Sequence, residues 1–161
     1  MATIYLALGS NLGDREKNLA EALARLRVFV QITRSSSIYE TEPVGVREQP
    51  WFLNQVVEGT TALAPVDLLR RVKKIEIEMG RTEGIRFGPR PMDIDILLYD
   101  RVIELSPALT IPHPRLHERA FVLTPLAEIA PNLVHPRLRV RIRDLLARLE
   151  SAEEVRRLNS P

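Results

Sequence analysis

Apolar residues along this chain recur with a period of two in some stretches and near four in others, and the changes mark the elements. Residues 3–8 (Thr-Ile-Tyr-Leu-Ala-Leu) read as a buried first strand, closed by a turn over 9–14 that is rich in glycine and helix-capping residues. Leu19, Ala22, Leu23 and Leu26 then fall at helical spacing, which predicts an amphipathic helix over 15–29. Residues 32–40 are polar and β-branched and read as a second strand. Prolines bracket 41–50 around a glycine, so that stretch is irregular. Alternation resumes over 52–61, and Pro65 opens a second helix whose stripe is Leu68, Val72, Ile75 and Met79. Residues 80–92 show no period and carry Arg81, Arg86 and Arg90 among glycines, the pattern of a mobile basic loop. A strand follows at 93–99, with 101–105 as its hairpin partner. Prolines make 110–114 extended, 117–126 reads as a short helix, and Ile142, Leu145, Leu146 and Leu149 mark a last one before a charged tail at 153–161. The order β-α-β-β-α-β predicts an α+β fold, a split βαβ sheet with helices on both faces.

Composition narrows the classes. With 161 residues, 1–161 reads as a single domain large enough for its own core. The absence of cysteine excludes disulfides and thiolate chemistry. No apolar run approaches the roughly 18 residues of a membrane span, and the first residues lack the plan of a signal peptide, so the expected location is cytoplasmic and no membrane partner is expected. A net charge of +2 suits an anionic ligand without requiring a nucleic acid. The basic run Arg137, Arg139, Arg141 and Arg143 reads as a solvated face.

The most informative stretch is Gly88-Pro89-Arg90-Pro91-Met92-Asp93-Ile94-Asp95-Ile96-Leu97. On a strand, Asp93 and Asp95 emerge on one face about 7 Å apart, while Ile94 and Ile96 point to the other. An Asp-x-Asp pair alone is more often a solvated face. Two such carboxylates also suit Mg²⁺, which takes one or two carboxylates and completes its octahedron with water and phosphate oxygens. Arg81, Arg90, Arg119 and His113 would add cationic clamps for phosphate, completing the parts that phosphoryl transfer needs.

The ordered set Gly9-Ser10-Asn11-Leu12, Thr41 with Pro43 and Gly45, Phe52-Leu53-Asn54, Gly80-Arg81, Gly88-Pro89-Arg90, Asp93-Ile94-Asp95-Ile96-Leu97, Pro112-His113-Pro114 and the run from Arg119 to Pro131 resembles the 6-hydroxymethyl-7,8-dihydropterin pyrophosphokinases of folate biosynthesis. The resemblance covers roughly 3–150. It implies a ferredoxin-like fold and transfer of the pyrophosphoryl group of ATP to the pterin hydroxymethyl oxygen, releasing AMP. It further implies that Asp93 and Asp95 hold two Mg²⁺ ions and that Arg81 and Arg90 are catalytic clamps. Ile96, Thr110, His113 and Arg119 would join Arg81 and Arg90 around ATP. Thr41, Val44, Phe52, Asn54 and Phe121 would form the pterin pocket, with Phe52 and Phe121 as its two aromatic faces. A monomer is expected. Phe87 stands where many relatives have tryptophan, and Pro114 where some have a hydroxyl-bearing aromatic. An RNA-binding module is the competing use of a split βαβ sheet, but no Lys/Arg-Gly-Phe/Tyr-Gly/Ala-Phe pattern is present. A metal-dependent phosphohydrolase is the third reading.

Overall fold

The computed structural model describes residues 1–42, 48–80, 91–150 and 154–158. In chain order the elements are β1 (Ala2–Ser10), α1 (Arg15–Leu26), β2 (Gln31–Ser35), β3 (Tyr39–Thr41), β4 (Phe52–Thr61), α2 (Pro65–Glu78), β5 (Asp93–Tyr99), β6 (Glu104–Leu105), β7 (Thr110–Ile111), α3 (Ala120–Ile129), α4 (Ile142–Arg148) and β8 (Val155–Arg157).

The main sheet is antiparallel and runs β5-β1-β4-β3-β8, with β2 pairing β4 beside β3. Alternation along β1 divides the core in two. Ile4, Leu6 and Leu8 pack against Leu19, Ala22 and Leu26 of α1 and Leu68, Val72 and Ile75 of α2. Tyr5 on the opposite face joins Val56 of β4 and the apolar residues of α3 and α4. A bulge between Tyr5 and Leu6 changes the register with β5, so Leu97 and Leu98 both reach this second core. The expected α+β split βαβ sheet with helices on both faces is what the chain forms. The helix starts follow the sequence: Asp14 caps α1 by accepting from Lys17 N at 3.2 Å, and Pro65 sits in the first turn of α2.

Four boundaries differ from the sequence expectation. The strand at 32–40 is two strands, because Ser36 breaks it: its hydroxyl accepts from Val56 N at 2.9 Å, replacing a backbone partner. The segment at 101–105 does not return along β5. Asp100, at φ 47°, pairs its N–H and carboxylate with Thr3, and β6 then pairs with β7 instead. The helix expected over 117–126 is a 3-10 turn followed by α3, which runs on to Ile129 just short of Pro131. The tail is not wholly irregular, since β8 adds a strand to the edge of β3.

Glu128 ties these additions together. It accepts from Ser37 N and Oγ and from the Tyr39 hydroxyl at 2.7–3.1 Å, with Arg157 3.8 Å away. Burial alone would raise its pKa, but the hydrogen bonds from Tyr39 and Ser37 and the Arg157 charge hold it below the ordinary carboxylate value. A carboxyl depressed on folding stabilises fully above its unfolded value of about 4.3 and loses that contribution as pH falls through the folded value. Urea titrations of the protein and of Glu128→Gln should therefore differ most near pH 7 and draw together as pH falls below the ordinary carboxylate value. A gap that is constant with pH would assign Glu128 no ionic role.

Candidate active site

Register places the candidate residues on the second face of the sheet, at one end. Gly9 in β1 lies opposite Asp93 of β5 on one side and Asn54 of β4 on the other, and Asn54 lies opposite Tyr39 of β3. One residue pair along, Ala7 lies between Asp95 and Val56. The two carboxylates thus face Asn54 across a strip that carries only a glycine and an alanine. With strands about 4.8 Å apart, Asp93 and Asn54 stand about 10 Å apart at the backbone.

Gly9 keeps that strip open. A Cβ there would lie 2.8 Å from Asn54 Oδ1 and 3.4 Å from Phe52 Cδ1. Both pocket side chains therefore lean over the glycine, and any larger residue would displace them. The sequence had Gly9 opening a turn; the structure keeps it within β1, where a glycine in an apolar run signals close approach by neighbours. Asn54 is buried, and its amide donates to Thr41 Oγ1 at 2.5 Å. Phe52 pairs with Thr41 in the β3–β4 ladder. Phe121, in the first turn of α3, packs at the rim of the second core with Ala7, and the Arg119 guanidinium lies 5.5 Å from its ring centroid.

The outer edge of β5 receives the segment that follows β7. His113 N donates to Leu97 O at 2.9 Å, which docks the histidine two residues beyond Asp95. His113 Nδ1 accepts from Arg115 N at 3.2 Å, so the neutral ring carries its proton on Nε2. Burial, then the charges of Arg119 and Arg115, push its pKa down to about 4. Thr110, in β7, is half-buried, and its hydroxyl donates to Ser106 O at 3.3 Å. The Ile96 side chain is buried in the first core, on the face away from Asp93 and Asp95, so only its backbone is available to a ligand there.

Asp93 and Asp95 are both half-buried. Glu76 supports them: it is 1% exposed, and its Oε2 accepts from the N–H of Ile94, between the two aspartates, at 2.8 Å. The sequence reading passed over Glu76. Its signal was a charge four residues after Val72, on the apolar stripe of α2. Among the described residues no group of three or more His, Cys, Asp or Glu side chains is placed to hold a metal. Two hard oxygens opposite small residues fit Mg²⁺, whose remaining positions are typically filled by water and phosphate. Arg81, Arg90 and Val44, and with them the expected mobile loop, lie outside the described residues.

A family profile described as 7,8-dihydro-6-hydroxymethylpterin-pyrophosphokinase (HPPK) matches residues 5–131. The chain belongs to that family. It is 53% identical over 131 residues to the 2-amino-4-hydroxy-6-hydroxymethyldihydropteridine pyrophosphokinase of Bacillus subtilis, covering 80% of this chain and 78% of that one. Identity to the pyrophosphokinase of the same name from Aquifex aeolicus is 46% over 136 residues, 84% of this chain and 85% of the relative. The mitochondrial folate synthesis bifunctional protein of Pisum sativum is 50% identical over 127 residues, which are 78% of this chain and 25% of that protein. Wild-type Plasmodium falciparum HPPK-DHPS superposes with a TM-score of 0.71 at 17% identity, over 91% of this chain and 44% of that structure. The HPPK chain thus spans less than half the length of that solved structure, and the likeness supports the ferredoxin-like, α+β architecture.

An HPPK histidine held neutral by burial can be checked directly. The Cε1–H resonance of His113 should titrate near pH 4 in the free protein. A midpoint at or above the ordinary value of about 6.5 would contradict its being held neutral by burial.

Proposed function

We propose that the face bounded by Asp93, Asp95, His113, Asn54 and Phe121 is where this chain carries out the family's reaction. The chain is a pyrophosphokinase of folate synthesis: it transfers the pyrophosphoryl group of ATP to 6-hydroxymethyl-7,8-dihydropterin. The hydroxymethyl oxygen bonds to the β-phosphorus, the bond from that phosphorus to the α–β bridging oxygen breaks, the hydroxyl proton is lost, and AMP leaves. The observation that carries the assignment is the row Asp93–Gly9–Asn54, which holds an acidic phosphate end and a polar heterocycle end about two strand spacings apart.

At the heterocycle end, Asn54 offers both an acceptor and donors to an amide-and-amine edge, and Thr41 orients it. Phe121 and Phe52 would give the flat bicycle its two faces. Val44 is proposed to complete this pocket from its position outside the described residues. At the phosphate end, Asp93 and Asp95 would hold two Mg²⁺ ions, whose chemistry is to neutralise the triphosphate charge. His113 donates through Nε2–H without adding a charge of its own. Arg119, stacked on Phe121, sits where a cation can face both ligands. Arg81 and Arg90 are proposed as further phosphate clamps. The backbones of Ile96, in β5, and of Thr110, in the neighbouring β7, suit the nucleoside. We further propose that the chain works as a cytoplasmic monomer without nucleic acid. Among the described residues, no helix is long and apolar enough to cross a membrane.

Asp93→Ala and Asp95→Ala should each lower turnover by about a thousandfold or more, the loss of about 4 kcal/mol of transition-state stabilisation, with the thermal melt retained. Isothermal titration with Mg²⁺ and an ATP analogue should show weakened metal-dependent binding in both. Near-normal turnover in either folded variant removes the metal assignment. Mass analysis should find AMP only when the pterin is present; pterin-independent ADP or phosphate would instead indicate hydrolysis. Phe121→Ala should weaken the pterin far more than the nucleotide, as read by calorimetry, because one aromatic face is lost. Equal weakening of both ligands would make Phe121 a packing residue.

A further inference from the structure

The strand β3 that carries Thr41 is three residues long, too short to be well fixed by one neighbour. Its second neighbour is β8, from the chain's last residues. The ladder pairs Tyr39 with Arg157, Glu40 with Arg156 and Thr41 with Val155. It extends beyond both ends of β3: Leu158 N donates to Ile38 O at 2.8 Å and Glu42 N to Glu154 O at 3.3 Å. Glu154 N returns a bond to Glu42 Oε1 at 2.7 Å. Leu158 also packs against the first core.

The side chains of β8 reach further. Arg156 donates through Nε and Nη2 to Glu40 Oε1 at 3.2 and 2.9 Å, and its guanidinium lies 4.5 Å from the centroid of the Trp51 ring. Arg15, at the start of α1, holds the other oxygen of Glu40 at 2.9 Å and the Trp51 carbonyl at 2.8 Å. The paired arginines more than offset the burial of Glu40 and keep it ionised below the ordinary range. Asn11 fixes the preceding residues, donating to Gln49 Oε1 at 2.9 Å and to Pro50 O at 3.0 Å. On the opposite face Arg157 donates to Ser37 Oγ, beside Glu128. Apart from Leu158 on the first core and Arg157 beside Glu128, these contacts end on Thr41's strand and its flanks or on the residues that lead into Phe52. They converge on one half of the site.

We propose that the C-terminal strand β8, through its pairing with β3 and the stacking of Arg156 on Trp51, is a positioning element that preorganises the pterin wall of Thr41, Phe52 and Asn54. This rests on the assignment of that wall to the pterin. The wall's hydrogen bond, Asn54 to Thr41, joins β4 to a strand that β8 holds from the far side. Losing β8 leaves β3 with a single neighbour and frees the Trp51 ring. The wall then spends less time in the binding geometry, and apparent affinity falls by the fraction of time lost. The phosphate half, built on β5 and the segment after β7, keeps its supports.

The test compares the full chain, a variant lacking 151–161, and Arg156→Ala. Trp51 is the only tryptophan, so its emission reports the wall without any turnover. If the wall is formed only about a tenth of the time, the deletion should raise the pterin Kd about tenfold. The Kd of a nonhydrolysable ATP analogue and kcat at saturating pterin should stay unchanged, and Trp51 emission should shift to the red. Arg156→Ala should show the same split with a smaller factor, and it decides the matter if the deletion does not fold. Unchanged pterin affinity in a folded variant with lowered thermal stability, or equal weakening of both ligands, overturns the proposal. Asn54→Ala in the full chain separates the two levels. If it weakens the pterin while loss of β8 does not, only the positioning role falls. If it too leaves the pterin unaffected, the pocket assignment falls.

Discussion

Everything in the candidate site depends on β1 lying between β4 and β5 in one register. Antiparallel pairing sets Gly9 opposite Asp93 and Asn54 together, and a slip of one residue in either ladder would turn one of those side chains into the helix-covered core. The register is held from that buried side. Leu53 and Val57 of β4 and Ile94 and Ile96 of β5 are almost wholly excluded from water beside Ile4, Leu6 and Leu8 of β1, so a one-residue slip of either strand would turn its own pair out of the core. At about 1.5–3 kcal/mol for each large side chain removed from water, that cost exceeds anything the polar face gains or loses by itself. A hydrophobic constraint on one face therefore fixes the chemistry on the other.

The polar face is then refined by carboxylates that bind protein groups. Glu76 takes the Ile94 N–H, Glu128 takes Ser37 and Tyr39, and Glu40 takes Arg15 and Arg156. Each is anchored to an element next to the site and holds a point where a strand would otherwise be free to move. A carboxylate suits this work because it accepts several bonds at once, and charge-assisted bonds are about twice as strong as neutral ones. By contrast, His113 is kept neutral. Burial among Arg115 and Arg119 removes its charge, so the cations at that edge are arginines, which do not titrate near neutrality.

Much of this was legible in the sequence because it rested on periodicity. The span Phe52–Thr61 and the start of α2 at Pro65 matched, and the alternation of Asp93 and Asp95 with Ile94 and Ile96 put the acidic pair on the open face as expected. What could not be read were the effects of long-range partners. Ser36 breaks a strand because Val56, twenty residues away, donates to it, and β8 forms because β3 offers an unpaired edge. Gly9 looked like a turn because the residues that crowd it, Phe52 and Asn54, come from another strand. Glu76 gave only a faint sign, one charge on an apolar stripe.

These cases divide along a physical line. Local pattern specifies which face a residue occupies, since that depends only on the element's period and on burial. Pocket geometry depends on pairs brought together from distant segments, such as Thr41 with Asn54, Trp51 with Arg156 and Ile94 with Glu76. In each pair one member alone has an ordinary explanation: a strand threonine, a surface arginine, a helical glutamate. The fold makes them specific by fixing two ends at hydrogen-bond or ring-contact distance. The arrangement also explains why a short terminal strand matters here. Five strands already cover the core, so a sixth short strand at the edge adds little to hydrophobic stability. What it adds is the second neighbour that a three-residue strand needs to hold a buried asparagine's partner in place.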